Sequence, residues 1–210
     1  ENGPCVVIDP GIGSWTTLQK ATDEYQLEPV AVILTHGHID HVGDAHLVAE
    51  HFDCEVWLHP ADQEMLVRPM TGLSADLVGF VKELVGDLEL PKPKKLKNLV
   101  NNQDLSIAGV NFSIREAPGH TEGSCLLLSG EGSENGPVFT GDVIFAGSIG
   151  RMDMPGGSMR KMGETLTQVI PELSDDLVLL PGHGSTTTMG KERSTNPYLQ
   201  PQMLAQLMEE

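Results

Sequence analysis

The feature that most restricts how this chain can fold is a dense group of polar residues directly after an apolar run. Residues 30–34 are all apolar, which predicts a buried parallel strand. Residues 35–41 then contain three histidines and one aspartate. A helical pattern follows over residues 43–51. The polar group is therefore predicted to lie in a loop at the carboxyl end of a strand, where open α/β sheets place their sites.

The spacing within this loop suits metal binding. His36 and His38 are separated by one residue, so they can project to the same side of extended backbone and share one metal. Asp40 and His41 are offset and can face a second metal. Imidazole and carboxylate groups bind Zn²⁺, and they also bind Fe or Mn. A polar loop with incidental histidines is the alternative, and four ligand-type residues in so short a stretch disfavour it.

Three more ligand-type residues, His120, Asp142 and His183, each lie at or soon after the end of a predicted strand. A glycine directly precedes each of them, and glycine lets the backbone turn sharply there. Asp142 can bridge two metals, since a carboxylate has two oxygens. Each metal would keep an open position for water, as in a catalytic site. The predicted sites are His36, His38 and His120 for one metal, and Asp40, His41 and His183 for the other.

The other predicted elements surround these ligands. Residues 91–97 are expected to be an irregular connection, and residues 129–137 a mobile hairpin loop rich in Gly, Ser and Glu. Asp9, at the end of an apolar strand, could orient a ligand histidine or cap a turn. Helices are predicted over residues 16–25, 43–51, 75–85 and 159–170, and strands over 5–8, 30–34, 55–58, 105–108, 110–115, 124–128, 138–140 and 177–180.

Composition narrows the class of partner. The 210 residues contain 13 Lys and Arg against 30 Asp and Glu, so the formal net charge is −17. Such a surface repels nucleic acid and anionic membranes, and the lysines within residues 92–97 lack interleaved aromatic residues. No apolar run has the length of a membrane span, and no signal-peptide pattern opens the chain. We therefore expect a small-molecule substrate, with no nucleic acid or membrane partner. The sequence does not indicate the oligomeric state.

The cysteine pattern and the length complete these expectations. Cys5, Cys54 and Cys125 are far apart and form no CxxC pair, so neither a disulfide framework nor a thiolate site is predicted. A reducing cytoplasmic location fits free thiols. Residues 1–210 are expected to form a single domain. The chain opens directly on a strand, which leaves open whether further strands precede it.

These motifs, taken in order, resemble the metallo-β-lactamase superfamily. The resemblance implies an αββα sandwich of two mixed sheets with helices on the outer faces and the metals at one edge. It also implies the same seven ligands. The matching segments are Ile8–Asp9–Pro10–Gly11, the loop 35–41, Gly119–His120–Thr121, Thr140–Gly141–Asp142 and Pro181–Gly182–His183–Gly184.

Within that superfamily the chain is similar to short, single-domain members of the glyoxalase II-like branch, the hydroxyacylglutathione hydrolases. A bridging Asp142 and the segment 147–157 carry this resemblance. Arg151 is expected to support the loop beside Asp142, and direct substrate contact is the alternative. The short tail after His183 implies that the C-terminal helical domain that binds glutathione is absent. Lys191 and Arg193 are then the candidates for a substrate carboxylate, or else ordinary surface charges.

The resemblance implies a binuclear metal-dependent hydrolase of small thioesters of the S-lactoyl-thiol type. A hydroxide that bridges two divalent ions, zinc in the first instance, would attack the carbonyl carbon. Asp40 would help to orient it and Asp142 would fix the metal separation. One alternative is a persulfide dioxygenase with a single Fe(II) on His36, His120 and Asp142. Lactonase or β-lactamase activity and a non-catalytic metal-binding module are further alternatives.

Overall fold

The computed structural model of this chain describes residues 2–130 and 136–209. The chain divides into two units, one of Glu1–Leu99 with Ile107–Gly109 and one of Val100–Ser106 with Val110–Glu210. Each unit is built from strands and helices. The expectation of a single domain over residues 1–210 stays a prediction.

The first unit is a parallel sheet with helices. Its elements are β1 Gly3–Ile8, α1 Trp15–Tyr25, β2 Leu27–Ile33, α2 Ile39–Val42, α3 Ala45–Phe52, β3 Glu55–Leu58, α4 Gln63–Val67, α5 Ala75–Val85 and β4 Leu96–Asn98. The strand order is β1-β2-β3-β4, and every described pair is parallel. Parallel sheets need cover on both faces. Ala31, Val32 and Ile33 are accordingly at most 1% exposed.

Helix α3 shows how this cover follows from the sequence. Ala45, Val48 and Ala49 lie on one face of the helix because they are three or four residues apart. All three are buried, in one cluster with Val32 and Val56 of the sheet. Burial of apolar surface of this kind contributes roughly 25 cal/mol per Å². The ligand loop 35–41 is thus anchored by a buried strand before it and a buried helix face after it.

The second unit is a mixed sheet with its own helices. Its elements are β5 Asp104–Ile107, β6 Val110–Glu116, β7 Cys125–Ser129, β8 Val138–Gly141, β9 Ile144–Phe145, β10 Ser148–Ile149, α6 Met159–Gln168, β11 Val178–Pro181, β12 Thr187–Thr188, α7 Met189–Thr195 and α8 Pro201–Glu209. Six strands follow the order β12-β11-β8-β7-β6-β5, and β9 pairs with β10 in a separate hairpin. Met162 and Leu166 of α6 pack in one core with Leu126 and Leu179 of the sheet.

The predicted elements are confirmed where their periodicity is strong. The strand at Glu55–Leu58 and the helix at Ala75–Val85 have the predicted bounds. The prediction of an irregular connection over 91–97 is wrong at its end, because Leu96–Asn98 forms a strand that pairs in parallel with β3. Three residues at a polar sheet edge are too few to show a period of two. The same reason explains why the two-residue strands β9, β10 and β12 went unpredicted.

Two further expectations concern helix ends and loops. The helix predicted to reach residue 170 ends at Gln168, and a 3-10 helix over Ile170–Glu172 contains Pro171, which cannot donate a helical hydrogen bond. The hairpin expected at 129–137 is flanked by the antiparallel pair β7 and β8, but residues 131–135 lie outside the described residues. Within residues 2–130 and 136–209, no helix is both long and apolar enough to cross a membrane.

Candidate metal centre

The first unit brings the ligand loop together between β2 and α2. The rings of His36 and His38 have centroids 5.0 Å apart, and those of His36 and His41 are 4.1 Å apart. All three histidines are at most 8% exposed. The Asp40 carboxylate lies 3.8 Å from His41 Nε2 and is about half exposed. The loop therefore presents three buried imidazoles with a solvent-facing carboxylate beside them.

Asp9, directly after β1, organises this loop from beneath. Its Oδ1 accepts from the Thr35 backbone N–H at 2.7 Å. Its Oδ2 accepts from the Thr35 hydroxyl at 2.6 Å and from His41 Nδ1–H at 2.9 Å. Its φ of +48° is left-handed, a conformation that aspartate tolerates better than most residues. The predicted orienting role of Asp9 is confirmed by the contact with His41.

The same network determines where the proton of His36 lies. Its Nδ1 is 3.1 Å from Thr35 Oγ1. Since the Thr35 hydroxyl donates to Asp9, that oxygen must accept the proton of Nδ1. Both His36 and His41 are thereby held as the Nδ1–H tautomer, which places the lone pair of each neutral ring on Nε2. Outer contacts of this kind orient metal-binding histidines in proteins.

Two close approaches explain why glycine lies within and beside the ligand loop. The Gly37 N–H donates to the buried Asp62 Oδ2 at 2.9 Å, and a Cβ at position 37 would lie 2.9 Å from the Asp62 side chain. A Cβ at Gly11 would overlap the carbonyl oxygen of Asp40. Asp62 was missed from the sequence, because nothing in its spacing connects it with residue 37.

The second unit brings together the three other predicted ligands. His120 Nε2 and His183 Nε2 each lie 3.6 Å from the same oxygen, Asp142 Oδ2. His120 and Asp142 are buried, whereas about half of the His183 side chain is exposed. This unit therefore places one carboxylate between two imidazoles, as expected of a residue that could be shared by two metals.

His120 is oriented by the backbone. Its Nδ1–H donates to the carbonyl oxygen of Arg151 at 2.8 Å, which again leaves the lone pair on Nε2. Gly150 permits this contact, because a Cβ there would overlap the Asp142 carbonyl oxygen and lie 2.9 Å from His120 Nδ1. The segment after β10 thus orients His120 through a main-chain carbonyl and packs closely against the backbone of Asp142.

The three candidate substrate contacts lie in the second unit. The Arg151 guanidinium forms a two-point ion pair with Asp153, with distances of 2.7 and 2.8 Å, and this pairing lowers the pKa of Asp153 to about 2. Arg193 donates to Asp175 Oδ1 and to the Leu173 carbonyl, both at 2.7 Å. Lys191 is exposed. Contact of any of them with substrate stays a prediction.

The donor chemistry fits a divalent metal. The two ligand sets contain imidazole nitrogens and carboxylate oxygens, the groups that bind Zn²⁺, Fe or Mn. The candidate groups of the described residues include none of the three cysteines, Cys5, Cys54 and Cys125. Burial raises the pKa of the Cys54 thiol to about 11, so that residue is a protonated thiol near neutral pH.

Comparison with known proteins identifies relatives along most of the chain. A family model described as the metallo-beta-lactamase superfamily matches residues 1–189. An uncharacterised protein of Mycobacterium tuberculosis is 39% identical over 198 residues, which are 93% of this chain and 87% of that protein. The hydroxyacylglutathione hydrolase GloC of Haemophilus influenzae is 34% identical over 92% of this chain and 86% of its own length.

Solved structures share the fold. BLEG-1, a B3 metallo-beta-lactamase, has a TM-score of 0.77 and 32% identity, covering 94% of this chain and 89% of that one. TTHA1623 in a di-iron-bound form has a TM-score of 0.72 and 33% identity, covering 91% of this chain and 87% of its own. The predicted α/β fold with two main sheets is confirmed by these likenesses.

Proposed function

The chain belongs to the metallo-β-lactamase superfamily, and on that basis we propose that it is a binuclear metal-dependent hydrolase of small thioesters. The superfamily binds divalent metals, and each unit of this chain carries a set of metal-type ligands. Two metals per chain, the thioester substrate and a cytoplasmic location are parts of the proposal.

One structural observation is the main support for a metal centre, on which the proposed hydrolase function depends. His36, His41 and His120 are each hydrogen-bonded through Nδ1, so each ring would offer Nε2 to a metal. Metal-binding histidines in proteins usually donate their other ring N–H in this way. The exposed carboxylate of Asp40 and the exposed ring of His183 put the remaining ligands within reach of solvent and substrate.

In this proposal one metal is held by His36, His38 and His120, the other by Asp40, His41 and His183, and Asp142 is shared. When bound, the ions supply Lewis acidity and lower the pKa of a coordinated water. Asp9 accepts from His41 Nδ1–H and from the Thr35 hydroxyl that lies against His36 Nδ1, so it would turn the Nε2 atom of both rings towards a metal. Asp142, whose Oδ2 lies 3.6 Å from both Nε2 atoms of its unit, would be the carboxylate available to both metals. No protein nucleophile is needed.

The choice of thioesters rests on the likeness to GloC. A protein 34% identical over 92% of this chain is described as a hydroxyacylglutathione hydrolase. We propose only modest discrimination for glutathione itself. Arg193, one of the two cations considered for a substrate carboxylate, is already engaged with Asp175 and the Leu173 carbonyl, and the net charge of −17 disfavours anionic carriers.

The test compares S-lactoylglutathione with the lactoyl thioester of N-acetylcysteamine, beside elemental analysis of protein purified without added metal. We expect two metals per chain, hydrolysis of both esters, and specificity constants within about a hundredfold, the size of one or two charged contacts. A preference for the glutathione ester above a thousandfold would reveal a dedicated glutathione site. If the protein hydrolyses neither ester with both metals bound, the proposed thioesterase activity is refuted.

A second candidate is β-lactam hydrolysis, favoured by the likeness to BLEG-1 at 32% identity. Benzylpenicillin and a chromogenic cephalosporin belong in the same assay series. Iron is the alternative metal, because TTHA1623, 33% identical, is described in a di-iron-bound form. One iron per chain with oxygen uptake on a persulfide substrate would instead indicate the dioxygenase.

A further inference from the structure

The second unit contains a buried carboxylate that the proposed mechanism does not use. Glu192 of α7 has no exposed surface. Its Oε1 accepts from the Thr187 hydroxyl at 2.6 Å, and its Oε2 accepts from the Gly147 N–H at 2.7 Å and from Asn196 Nδ2 at 3.0 Å. A buried charge is costly unless hydrogen bonds compensate it, and here three donors do so.

Asn196 bonds Glu192 and adds further hydrogen bonds to the same hairpin. It has no exposed surface, and its Nδ2 also donates to the Ser148 carbonyl at 3.0 Å and towards the Phe145 carbonyl at 3.3 Å. The two side chains, which we call the Glu192–Asn196 clamp, thus hold the β9–β10 hairpin at three main-chain points around its turn. Glu192 in addition holds Thr187 of β12.

The hairpin and the two residues after it approach the three predicted ligands of the second unit. The Phe145 ring lies edge-on to the His183 ring, with centroids 6.1 Å apart. After the hairpin, Gly150 lies against the Asp142 carbonyl oxygen, which a Cβ at position 150 would overlap. The Arg151 carbonyl then accepts from His120 Nδ1–H. Thr187, held by Glu192, is four residues after His183.

We propose that Glu192, assisted by Asn196, is a positioning residue that holds His120, Asp142 and His183 in register for metal binding. It touches neither metal nor substrate and acts through the hairpin. The adjacent charged residues Lys191 and Arg193 are not part of the clamp, and Arg193 bonds Asp175 and the Leu173 carbonyl instead. It rests on the proposed metal centre, although its structural part does not depend on any substrate.

The primary test is Glu192→Gln, which keeps the shape but turns an amide N–H₂ towards N–H donors. Hydrogen–deuterium exchange of the metal-free protein is expected to be at least tenfold faster at residues 144–151 and 183–187, with residues 31–42 unchanged. Zinc affinity, measured by competition with a chelator, is expected to fall ten- to a hundredfold for the weaker site, the range seen for outer-shell contacts.

Two milder variants separate the contact of the clamp with the hairpin from its contact with β12. Asn196→Ala should accelerate exchange chiefly at 144–151, and Thr187→Val, which removes one hydroxyl, chiefly at 183–187. They decide the question if Glu192→Gln does not fold. Glu172→Gln, at an exposed position of the same unit, is the matched control and should leave both exchange and zinc affinity as in the unaltered protein.

Unchanged exchange at 144–151 in folded Glu192→Gln and Asn196→Ala would overturn the inference, and so would an equal loss of zinc affinity in Glu172→Gln. Failure of the unaltered protein to hydrolyse thioesters would defeat the proposed function instead. Because exchange and zinc binding are measured without substrate, the two failures are distinguishable.

Discussion

The ligand-type residues of the first unit and those of the second unit are held in place in different ways. In the first unit the ligands share one short loop, and carboxylates from other segments, Asp9 and Asp62, bond directly to it. In the second unit the ligand-type residues come from three separate segments, and His120 is oriented by a main-chain atom, the Arg151 carbonyl oxygen. A hydrogen bond from a supporting side chain is lost when that one residue is substituted. A hydrogen bond from a main-chain atom is lost only when the backbone segment itself moves. The two sets should therefore respond differently to single substitutions.

The largest effect is expected for Asp142→Ala. Asp142 Oδ2 lies 3.6 Å from both Nε2 atoms of its unit, so under the proposed shared role its loss would affect both metals at once. We expect metal content to fall below two per chain and kcat/KM to fall at least a thousandfold, measured by elemental analysis and thioester kinetics. Full metal content with activity within tenfold would contradict the shared role.

A smaller loss is expected for Asp9→Asn, which tests direct side-chain support in the first unit. The amide would turn an N–H₂ towards donors that now meet a carboxylate, and His41 would lose the acceptor for Nδ1–H. Zinc affinity should fall ten- to a hundredfold, while hydrogen exchange at 144–151 stays unchanged. Asp44→Asn is a useful control, since Asp44 bonds the Trp15 N–H outside the ligand loop. Equal losses in both variants would deny Asp9 a specific role.

A still smaller effect is expected for Arg151→Ala. The contact with His120 comes from the carbonyl of residue 151, which alanine retains, and the guanidinium is exposed and paired with Asp153. Metal content should be unchanged and kcat/KM should change less than about threefold. An inactive variant with both metals bound would instead make the Arg151 guanidinium a substrate contact.

The smallest effect concerns pH. Pairing with Arg151 lowers the Asp153 pKa from 3.8 to about 2. A carboxyl with a depressed pKa in the folded state stabilises the protein above its unfolded pKa, and this contribution is lost as the pH falls through the folded value. The pair is exposed, so the effect on unfolding should be slight. Carbon-13 NMR should show Asp153 titrating near 2, and near 4 in Arg151→Ala; identical midpoints would contradict the pairing.

The difference between residues that are adjacent in the chain and residues that come from separate segments also determines what could be predicted from the sequence. The loop with His36, His38 and His41 is predicted as a metal-binding loop because these residues are adjacent in the chain and follow a strongly apolar strand. His120, Asp142 and His183 are predicted because each follows a glycine near a strand end, and the structure brings the three together within the second unit. The strands at Leu96–Asn98 and in the β9–β10 hairpin were missed, because two or three residues carry no period.

The supporting residues were harder to predict than the ligands. Asp62 bonds Gly37 across 25 positions, and Glu192 bonds Gly147 across 45. Such contacts depend on how the chain returns on itself, which local spacing does not encode. The charges of Lys191 and Arg193 predict contact with a substrate carboxylate, whereas the buried Glu192 near them in the chain forms the hydrogen bonds that hold the hairpin. An acidic residue in a charged segment gives no sign that it will be buried.

The position of Asp9 has a consequence for the order of events as the protein folds. Ile8 faces Ile33 in the parallel pairing of β1 with β2, and only that register places the Asp9 carboxylate beneath Thr35 and His41. A slip of one residue would turn every side chain of β1 to the opposite face. Parallel pairing closes a long loop and is intrinsically slow. Tight metal binding by this unit should therefore occur late in folding. A bound metal would then selectively stabilise chains in which β1 and β2 are paired in the correct register.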